Sequence, residues 1–230
     1  MTPNYPDVSP QNLIEPWWIE HSDDDFKPGK LIWAFLPHVE QIPYTLEPIG
    51  RDEPTEHTTG KVQIKRFEIS SPPIKKNLPL AAMPVFKNEM FCAYRTKKRP
   101  AIIISKGGTF IEKALTKNKS KWRTDRTVLV VPSYSVRDAF SPEFCERVQR
   151  CEYPQFLWDY LPLGGTDKGS IIRFDHLQPV GRSPKSVEFT KYCLSEKAMT
   201  FIMEWISWLI SGYLDEKSEF CKTRSFFMEL

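Results

Sequence analysis

Short apolar runs that end at proline or at polar residues recur along the chain and predict β-strands. Residues 29–37 (GKLIWAFLP), 99–105 (RPAIIIS) and 127–135 (TVLVVPSYS) have the apolar, β-branched composition of buried strands. Residues 61–69 (KVQIKRFEI) alternate between apolar and polar side chains, which is typical of a half-exposed strand. The pattern therefore predicts a mainly β fold built from short strands.

Two segments have helical periodicity instead. Residues 141–153 begin with Ser141, which suits a helix N-cap. Residues 195–213 place apolar side chains three and four positions apart, with Ser195 suited to the N-cap and Gly212 to the C-terminal stop. We expect this long C-terminal helix to pack on the sheet, which makes the fold class mainly β with an α+β arrangement.

The apolar face of helix 195–213 is wider than burial on one side requires. Phe201, Trp205 and Trp208 extend the face beyond the residues spaced at three and four. Either a second subunit covers the extra surface, or the N-terminal and proline-rich segments of the same chain do so. The sequence leaves both alternatives open.

Two proline-rich segments lie outside the predicted core elements. Residues 1–28 are also acidic, and we expect them to lie over the core, held there by Trp17 and Trp18. Residues 38–90 contain many prolines, which favour a long ordered excursion with short strands over a helical domain.

Composition limits the class of protein without fixing its function. With 230 residues, 40% apolar and 13% aromatic, the chain can form one large domain with a packed core. The net charge of +3 is too small to demand a nucleic-acid partner. The basic runs 94–100 and 117–126 are compatible with such a partner, although most basic runs are solvated loops.

Cysteine usage and the lack of targeting signals favour a cytoplasmic protein. The five cysteines form no CxxC pair, which argues against a zinc site and against a disulfide framework. The N-terminus has no signal-peptide pattern. The most apolar segment, 198–214, contains Glu204 and is shorter than the roughly 20 residues that span a bilayer. We therefore expect no membrane association.

Residues 170–177 place a guanidinium and a carboxylate close together. Read as a strand, this segment directs Arg173 and Asp175 to the same face, about 6.6 Å apart along the strand. Taken alone, such a pair is more often a structural ion pair than a catalytic one. His21, His38, His57 and His176 occur singly, and no metal, phosphate-loop or nucleophile motif is present, so we expect neither a metal nor another cofactor.

Several motifs in series nevertheless resemble the PemK/MazF family of toxin endoribonucleases. The chain has a Gly-led apolar strand with a Trp, an Arg-Pro followed by an aliphatic strand, a "VVP" strand ending in hydroxyl residues, the strand "GSIIRFDHLQPVGR" and a closing helix. The resemblance covers 29–41 and 97–214 in the correct order. It implies a small SH3-like β-barrel of the PemK/MazF type with the long C-terminal helix packed on it.

The resemblance also implies a domain organisation. Residues 1–230 form a single domain, in which 29–214 is the barrel and 43–91 is a large insertion. Residues 1–28 are an N-terminal extension and 215–230 a C-terminal tail. The insertion can read substrate, cover the barrel edge, replace dimer contacts or occupy the groove.

The family cleaves single-stranded RNA without metal, by attack of the 2′-hydroxyl on the adjacent phosphate. Matched residue by residue, the resemblance assigns the catalytic roles to Arg99, Ser135, Arg173 and Asp175. Asp175 is the candidate base, and the two arginines supply charge to the phosphate. Tyr134 stands where the family has a threonine, so it either donates its own hydroxyl or blocks the pocket.

Further residues are candidates for RNA binding by position and chemistry. His38 resembles the histidine at the start of the family's first loop, although its register differs by one residue. Lys98 lies in the basic run before Arg99, and aromatic side chains such as Trp122 can stack on unpaired bases. The RNA-binding candidates are His38, Lys98, Lys121, Trp122, Arg123 and Tyr134.

The resemblance implies partners as well as an activity. These are single-stranded RNA and a small acidic antitoxin-like protein, and the resemblance is also compatible with a homodimer. Two other readings remain: a non-catalytic module that uses the same barrel to bind RNA or protein, and a structural interaction protein that uses the Trp-rich helix.

Overall fold

The computed structural model describes residues 9–71, 83, 88–108, 111–119, 127–136, 140–163, 169–213 and 215–229. The chain divides into two compact units. One consists of Met1–Phe35 with Lys98–Leu230, and the other consists of Leu36–Lys97. The second unit contains the segment 43–91 that the sequence analysis treated as an insertion.

The described residues form a mainly β protein with antiparallel strands and five helices. The strands are β1 Trp18–Glu20, β2 Lys30–Pro37, β3 Tyr44–Gly50, β4 Lys61–Arg66, β5 Phe91–Ala93, β6 Thr96–Ser105, β7 Thr127–Ser135, β8 Phe156–Asp159, β9 Ser170–Arg173, β10 Gln178–Gly181 and β11 Val187–Leu194. The helices are α1 Pro10–Leu13, α2 Lys113–Thr116, α3 Pro142–Gln149, α4 Glu196–Ser211 and α5 Glu219–Glu229.

An eight-stranded sheet is the frame of the first unit. Its strand order is β1-β11-β2-β6-β7-β9-β8, and β10 pairs with β7 beside this path. Within the described residues no pairing joins β1 to β8, so the path stays open. The mainly β prediction is confirmed, whereas a closed SH3-like barrel is not established by this architecture.

The second unit has a three-stranded antiparallel sheet in the order β4-β3-β5. β4 is exposed along its whole length. The proline-rich excursion therefore contains short strands, as predicted.

Local sequence signals located the ends of several elements correctly. β7 has the bounds that its apolar run predicted. The hydroxyl of Ser141 accepts a hydrogen bond from the amide of Phe144 at the start of α3, and that of Ser195 accepts one from Ala198 at the start of α4. These bonds satisfy amides that have no partner within the helix. Gly212 ends α4 in a left-handed conformation, with φ of 67°.

The predicted strand 170–177 is wrong in its second half. β9 ends at Arg173, and Phe174–His176 form a 3-10 turn. β9 pairs with Ser133–Ser135 of β7, whereas β10 pairs with its first four residues, Thr127–Val130. The turn therefore takes up residues that a straight strand would have paired with β7. This happens beside Pro132, which has no N–H to donate to a ladder.

Residues outside the predicted core cover the broad face of α4. Trp17 is 5% exposed and contacts the edge of the Phe201 ring, with centroids 5.9 Å apart. Phe220 of α5 lies 5.1 Å from Phe201 and 5.3 Å from Trp205, measured between ring centroids. Segments of the same chain thus pack on this face, and the expected tail after residue 215 contains a helix that the sequence analysis missed. No helix in the described part of the chain is long and apolar enough to cross a membrane.

Candidate functional site

Two arginines share the ring of Tyr134. Ala101 of β6 pairs with Pro132 of β7, and the same register carried to the strand end puts Arg99 opposite Tyr134. The guanidinium carbon of Arg99 lies 4.0 Å from the centroid of the Tyr134 ring. That of Arg173, on the other side in β9, lies 5.5 Å from the same centroid. Such distances are typical of cation–π contacts.

Phe156 positions Arg173 from the other neighbouring strand. Phe156 of β8 is the register partner of Arg173, and the guanidinium carbon lies 5.1 Å from the centroid of its ring. Arg173 is therefore bordered by an aromatic ring on each side, which restricts its side chain. A guanidinium fixed in this way presents its planar donors in a defined orientation.

Asp175 binds the same guanidinium. The Nε of Arg173 donates to Oδ1 of Asp175 at 3.0 Å, and its Nη2 donates to Oδ2. The two side chains are 26% and 28% exposed, so they lie at the surface without being freely solvated. The predicted proximity of these residues is present, but the 3-10 turn produces it rather than the shared face of a strand.

His176 completes the group and was missed by the sequence analysis. Its Nδ1 lies 2.7 Å from the hydroxyl oxygen of Tyr134, and its Nε2 lies 3.8 Å from Oδ2 of Asp175. The residue is 6% exposed. One signal pointed to it: a half-buried tyrosine needs a partner for its hydroxyl, and Tyr134 occupies a strand position where a smaller residue was expected. We call Arg99, Tyr134, Phe156, Arg173, Asp175 and His176 the Tyr134 cluster.

Two predicted site residues lie on the opposite face of the sheet. Ser135 pairs with Ser170 whereas Tyr134 pairs with Ile171, so Ser135 and Tyr134 project from opposite faces. Lys98 precedes Arg99 on β6 and points away from it, since its Nζ lies 5.8 Å from the Trp33 ring and pairs with Glu188. The structure therefore brings Arg99, Arg173 and Asp175 together and places Ser135 on the other face of the sheet.

The remaining RNA-binding candidates are not part of the cluster as described. His38 belongs to the second unit, where its Nδ1 lies 3.0 Å from Glu40 and its amide donates to the carbonyl of Arg95. Lys121, Trp122 and Arg123 lie outside the described residues.

A buried carboxyl, Asp159, lies at the end of β8 on the face opposite Tyr134. Its Oδ1 accepts hydrogen bonds from the side-chain amide of Gln11 and from the indole of Trp18, the latter at 3.3 Å. Burial raises the pKa of Asp159 to about 7, and the bond from Trp18 opposes this shift only partly. Asp159 thus connects β8 to the N-terminal segment and is separate from the Tyr134 cluster.

The electrostatics of the Tyr134 cluster suit an anion. Arg99 makes no ion pair with any residue in the described part of the chain, so Asp175 balances only one of the two guanidinium charges. Forked guanidinium donors match phosphate oxygens in geometry. Asp175 and His176, at the same place, are the side-chain types that accept and donate protons in catalysis.

The described residues contain no group of three or more His, Cys, Asp or Glu side chains able to hold a metal ion. The Tyr134 cluster itself supplies guanidinium, carboxylate, imidazole and phenol groups. Comparisons of the chain with protein-family models, with curated proteins and with solved structures found no match.

Proposed function

We propose that the protein is a metal-independent endoribonuclease that cleaves single-stranded RNA through attack of a 2′-hydroxyl on the adjacent phosphate. The observation that carries the proposal is the convergence of two guanidiniums, Arg99 and Arg173, with Asp175 and His176 at a single aromatic ring. Charge for a phosphate and groups for proton transfer then meet within one small area.

The reaction needs little beyond these groups. A base removes the proton of the 2′-hydroxyl, the O2′–P bond forms, and the P–O5′ bond breaks to leave a 2′,3′-cyclic phosphate. The non-bridging oxygens of the phosphate gain negative charge in the transition state, which nearby guanidiniums stabilise. Asp175 is the proposed base. Its contact with Arg173 places base and charge next to each other.

The proposal includes the family resemblance stated above. The antiparallel order β6-β7-β9 brings the Arg-Pro, "VVP" and "IIRFD" motifs side by side, and α4 follows as the closing helix. This arrangement supports a PemK/MazF-like core with SH3-like barrel character. On that basis we also propose a toxin role restrained by a small acidic partner, since the chain itself carries a net charge of +3.

A second candidate function has one observation in its favour. Arg173 and Asp175 form a two-point ion pair, which uses the Nε and Nη2 donors of the arginine. A closed pair of this kind also fits a non-catalytic module that binds RNA through the remaining positive charge of Arg99.

One assay separates the two functions. A long mixed-sequence RNA is incubated in EDTA with wild-type protein, Arg173→Ala, Asp175→Ala and the control Arg182→Ala, which removes a cation near Phe26. We expect discrete fragments ending in cyclic phosphate from the wild type and the control. Both site variants should lose roughly 10²-fold or more in rate.

The outcomes are distinct. Intact RNA that is nevertheless bound by the wild type would support the binding module. Equal cleavage by all four proteins would place the activity elsewhere, and the proposal for this cluster would be abandoned. Replacement of the nucleotide 5′ to a mapped cleavage point by a 2′-deoxynucleotide should block cleavage there.

A further inference from the structure

We infer that the hydroxyl of Tyr134 donates the proton to the leaving 5′-oxygen, and that His176 holds this hydroxyl and resupplies its proton. The inference rests on the proposed ribonuclease function and deepens it. It assigns a chemical role to a tyrosine that departs from the family resemblance and to a histidine that the resemblance does not include.

The geometry of Tyr134 and His176 allows a proton to pass between them. The Tyr134 hydroxyl oxygen and His176 Nδ1 are 2.7 Å apart, a distance at which a proton can pass between them. The rings meet edge to face, with centroids 5.6 Å apart and planes at 77°. His176 is buried, and the ring of Tyr134 is bordered by Arg99 and Arg173, so neither side chain is free to turn away.

The positive charge of the two arginines stabilises the phenolate that Tyr134 forms when it loses its proton. When Tyr134 gives up its proton, the phenolate is negatively charged, and two guanidinium carbons lie 4.0 and 5.5 Å from the centroid of its ring. An opposite charge at this range stabilises the ionised form of a phenol. The same guanidiniums are the proposed ligands of the scissile phosphate, so the tyrosine lies next to the bond that breaks.

The proton transfers of the scheme form a closed balance. Asp175 takes the 2′-hydroxyl proton as the O2′–P bond forms. Tyr134 gives its proton to O5′ as the P–O5′ bond breaks and the bond's electron pair moves to that oxygen. The Nδ1–H of a neutral His176 then passes its proton to the phenolate while the free Nε2 takes the proton held by Asp175, and exchange with water restores the Nδ1–H tautomer. Nε2 of His176 and Oδ2 of Asp175 are 3.8 Å apart, so a shift of about 1 Å brings them to hydrogen-bond distance.

This division of labour agrees with the contacts of each group. Asp175 accepts two hydrogen bonds from Arg173, so the proposed base is held in contact with a guanidinium that binds the phosphate. Tyr134 contacts the imidazole of His176, which suits a group that must be reprotonated. His176 acts through Tyr134 and is therefore a positioning residue in this scheme.

A substrate that needs no leaving-group acid tests the inference. The probe is an RNA oligonucleotide that contains a cleavage point mapped in the assay above, with the bridging 5′-oxygen replaced by sulfur. A thiolate leaves without protonation, so general-acid catalysis contributes little to its departure. Rates on the oxygen and sulfur substrates are compared for wild type, Tyr134→Phe, His176→Gln and Asp175→Asn.

We expect Tyr134→Phe to cleave the oxygen substrate about 10²- to 10⁴-fold more slowly than wild type and the sulfur substrate at a near wild-type rate. His176→Gln keeps a hydrogen-bonding group but has no proton that it can transfer, so it should show the same selective loss. Asp175→Asn should be slow on both substrates. Cleavage of the sulfur substrate also proves that Tyr134→Phe and His176→Gln are folded.

Equal slowing of Tyr134→Phe on both substrates would overturn the inference while leaving the ribonuclease function intact. A wild-type protein that accelerates cleavage of neither substrate would remove the proposed function itself. If Tyr134→Phe matches the wild type on the oxygen substrate, the acid is another group and the inference fails.

Discussion

The guanidinium carbon of Arg99 lies 4.0 Å from the centroid of the Tyr134 ring, across the boundary between β6 and β7. The register of these strands, set by Ala101 and Pro132, brings the two residues opposite each other. The contact fixes a positive charge at one face of the sheet, while Lys98, one residue earlier, projects from the other face. Adjacent basic residues on one strand thus have different surroundings.

This difference predicts unequal effects on RNA binding. Arg99→Ala should weaken binding of a labelled single-stranded RNA about tenfold or more, because hydrogen bonds to charged groups contribute roughly 1.5–3 kcal/mol. The slope of log affinity against log salt should also fall by about 0.7 for one lost phosphate contact. Lys98→Ala should change both quantities little. Fluorescence anisotropy with 2′-O-methyl RNA, which cannot react through its 2′-oxygen, measures the affinity without cleavage.

A larger loss of RNA affinity in Lys98→Ala than in Arg99→Ala would contradict the placement of the site at the Tyr134 cluster. If Lys98→Ala weakens binding more than Arg99→Ala does, the RNA contacts the face that carries Trp33 and Glu188 rather than the Tyr134 cluster. Arg99→Lys refines the result. It keeps the charge but loses the forked donors, so its affinity should fall between the two alanine variants.

Sequence patterns predicted the parts of this fold that depend on local interactions. The bounds of β7 follow from its own apolar run, and the caps Ser141 and Ser195 bind amides only three residues away. The 3-10 turn at Phe174–His176 depends instead on the separate pairing of β9 and β10 with β7. That pairing is long-range and cannot be read from local patterns. The sequence analysis therefore placed Arg173 and Asp175 on one strand and assigned no role to His176.

α5 was missed for a similar physical reason. Its sequence, EFCKTRSFFME, has no clear apolar stripe, and its buried residues are Phe220 and Phe227. Their partners are aromatic residues of α4, so the helix is stabilised by tertiary packing more than by its own periodicity. The sequence could show that α4 had surface to cover but not which segment would cover it.

That packing predicts a contrast between two phenylalanines of α5. Phe220 is 1% exposed and contacts the rings of Phe201, Trp205 and Trp208, whereas Phe226 is 46% exposed. Phe220→Ala should lower the free energy of unfolding by about 3–5 kcal/mol. Phe226→Ala should change it by less than about 1 kcal/mol. Urea unfolding followed by tryptophan fluorescence measures both, and similar losses would show that α5 does not dock through Phe220.

Asp159 predicts a pH dependence of stability. Burial raises its pKa from 3.8 to about 7, so the folded protein binds the proton more tightly than the unfolded chain does. The contribution of Asp159 to stability is therefore fully present below about pH 4. It falls by roughly 1.4 kcal/mol per pH unit as pH rises towards 7, and it is constant above that. Asp159→Asn removes the ionisation and should flatten this part of the profile.

Urea unfolding between pH 4.5 and 8 measures the difference between wild type and Asp159→Asn. Asp52→Asn is the control, since Asp52 is 73% exposed and pairs with Lys61 at the surface. We expect the wild type to lose stability relative to Asp159→Asn as pH rises, while the control follows the wild type. A constant difference between wild type and Asp159→Asn would mean that Asp159 has the same pKa in the folded and unfolded states.

Gly107, which follows β6, lies close to the backbone at the start of β7, whereas its neighbour Gly108 does not. This contrast predicts different losses of stability when each glycine is replaced by alanine. Both have left-handed φ angles, of 74° and 89°, so alanine is strained at either position. A Cβ on Gly107 would lie 1.9 Å from the carbonyl oxygen of Thr127, the first residue of β7, whereas a Cβ on Gly108 would meet nothing within 4 Å.

Gly108→Ala should lower the free energy of unfolding by about 1–2 kcal/mol. Gly107→Ala should cost at least about 2 kcal/mol more, because a backbone oxygen cannot rotate away as a flexible side chain does. Urea midpoints of the two variants give the comparison, and equal midpoints would mean that β7 does not begin against Gly107. Because Tyr134 lies on the same strand, Gly107→Ala should also reduce RNA cleavage, whereas Gly108→Ala should leave it unchanged.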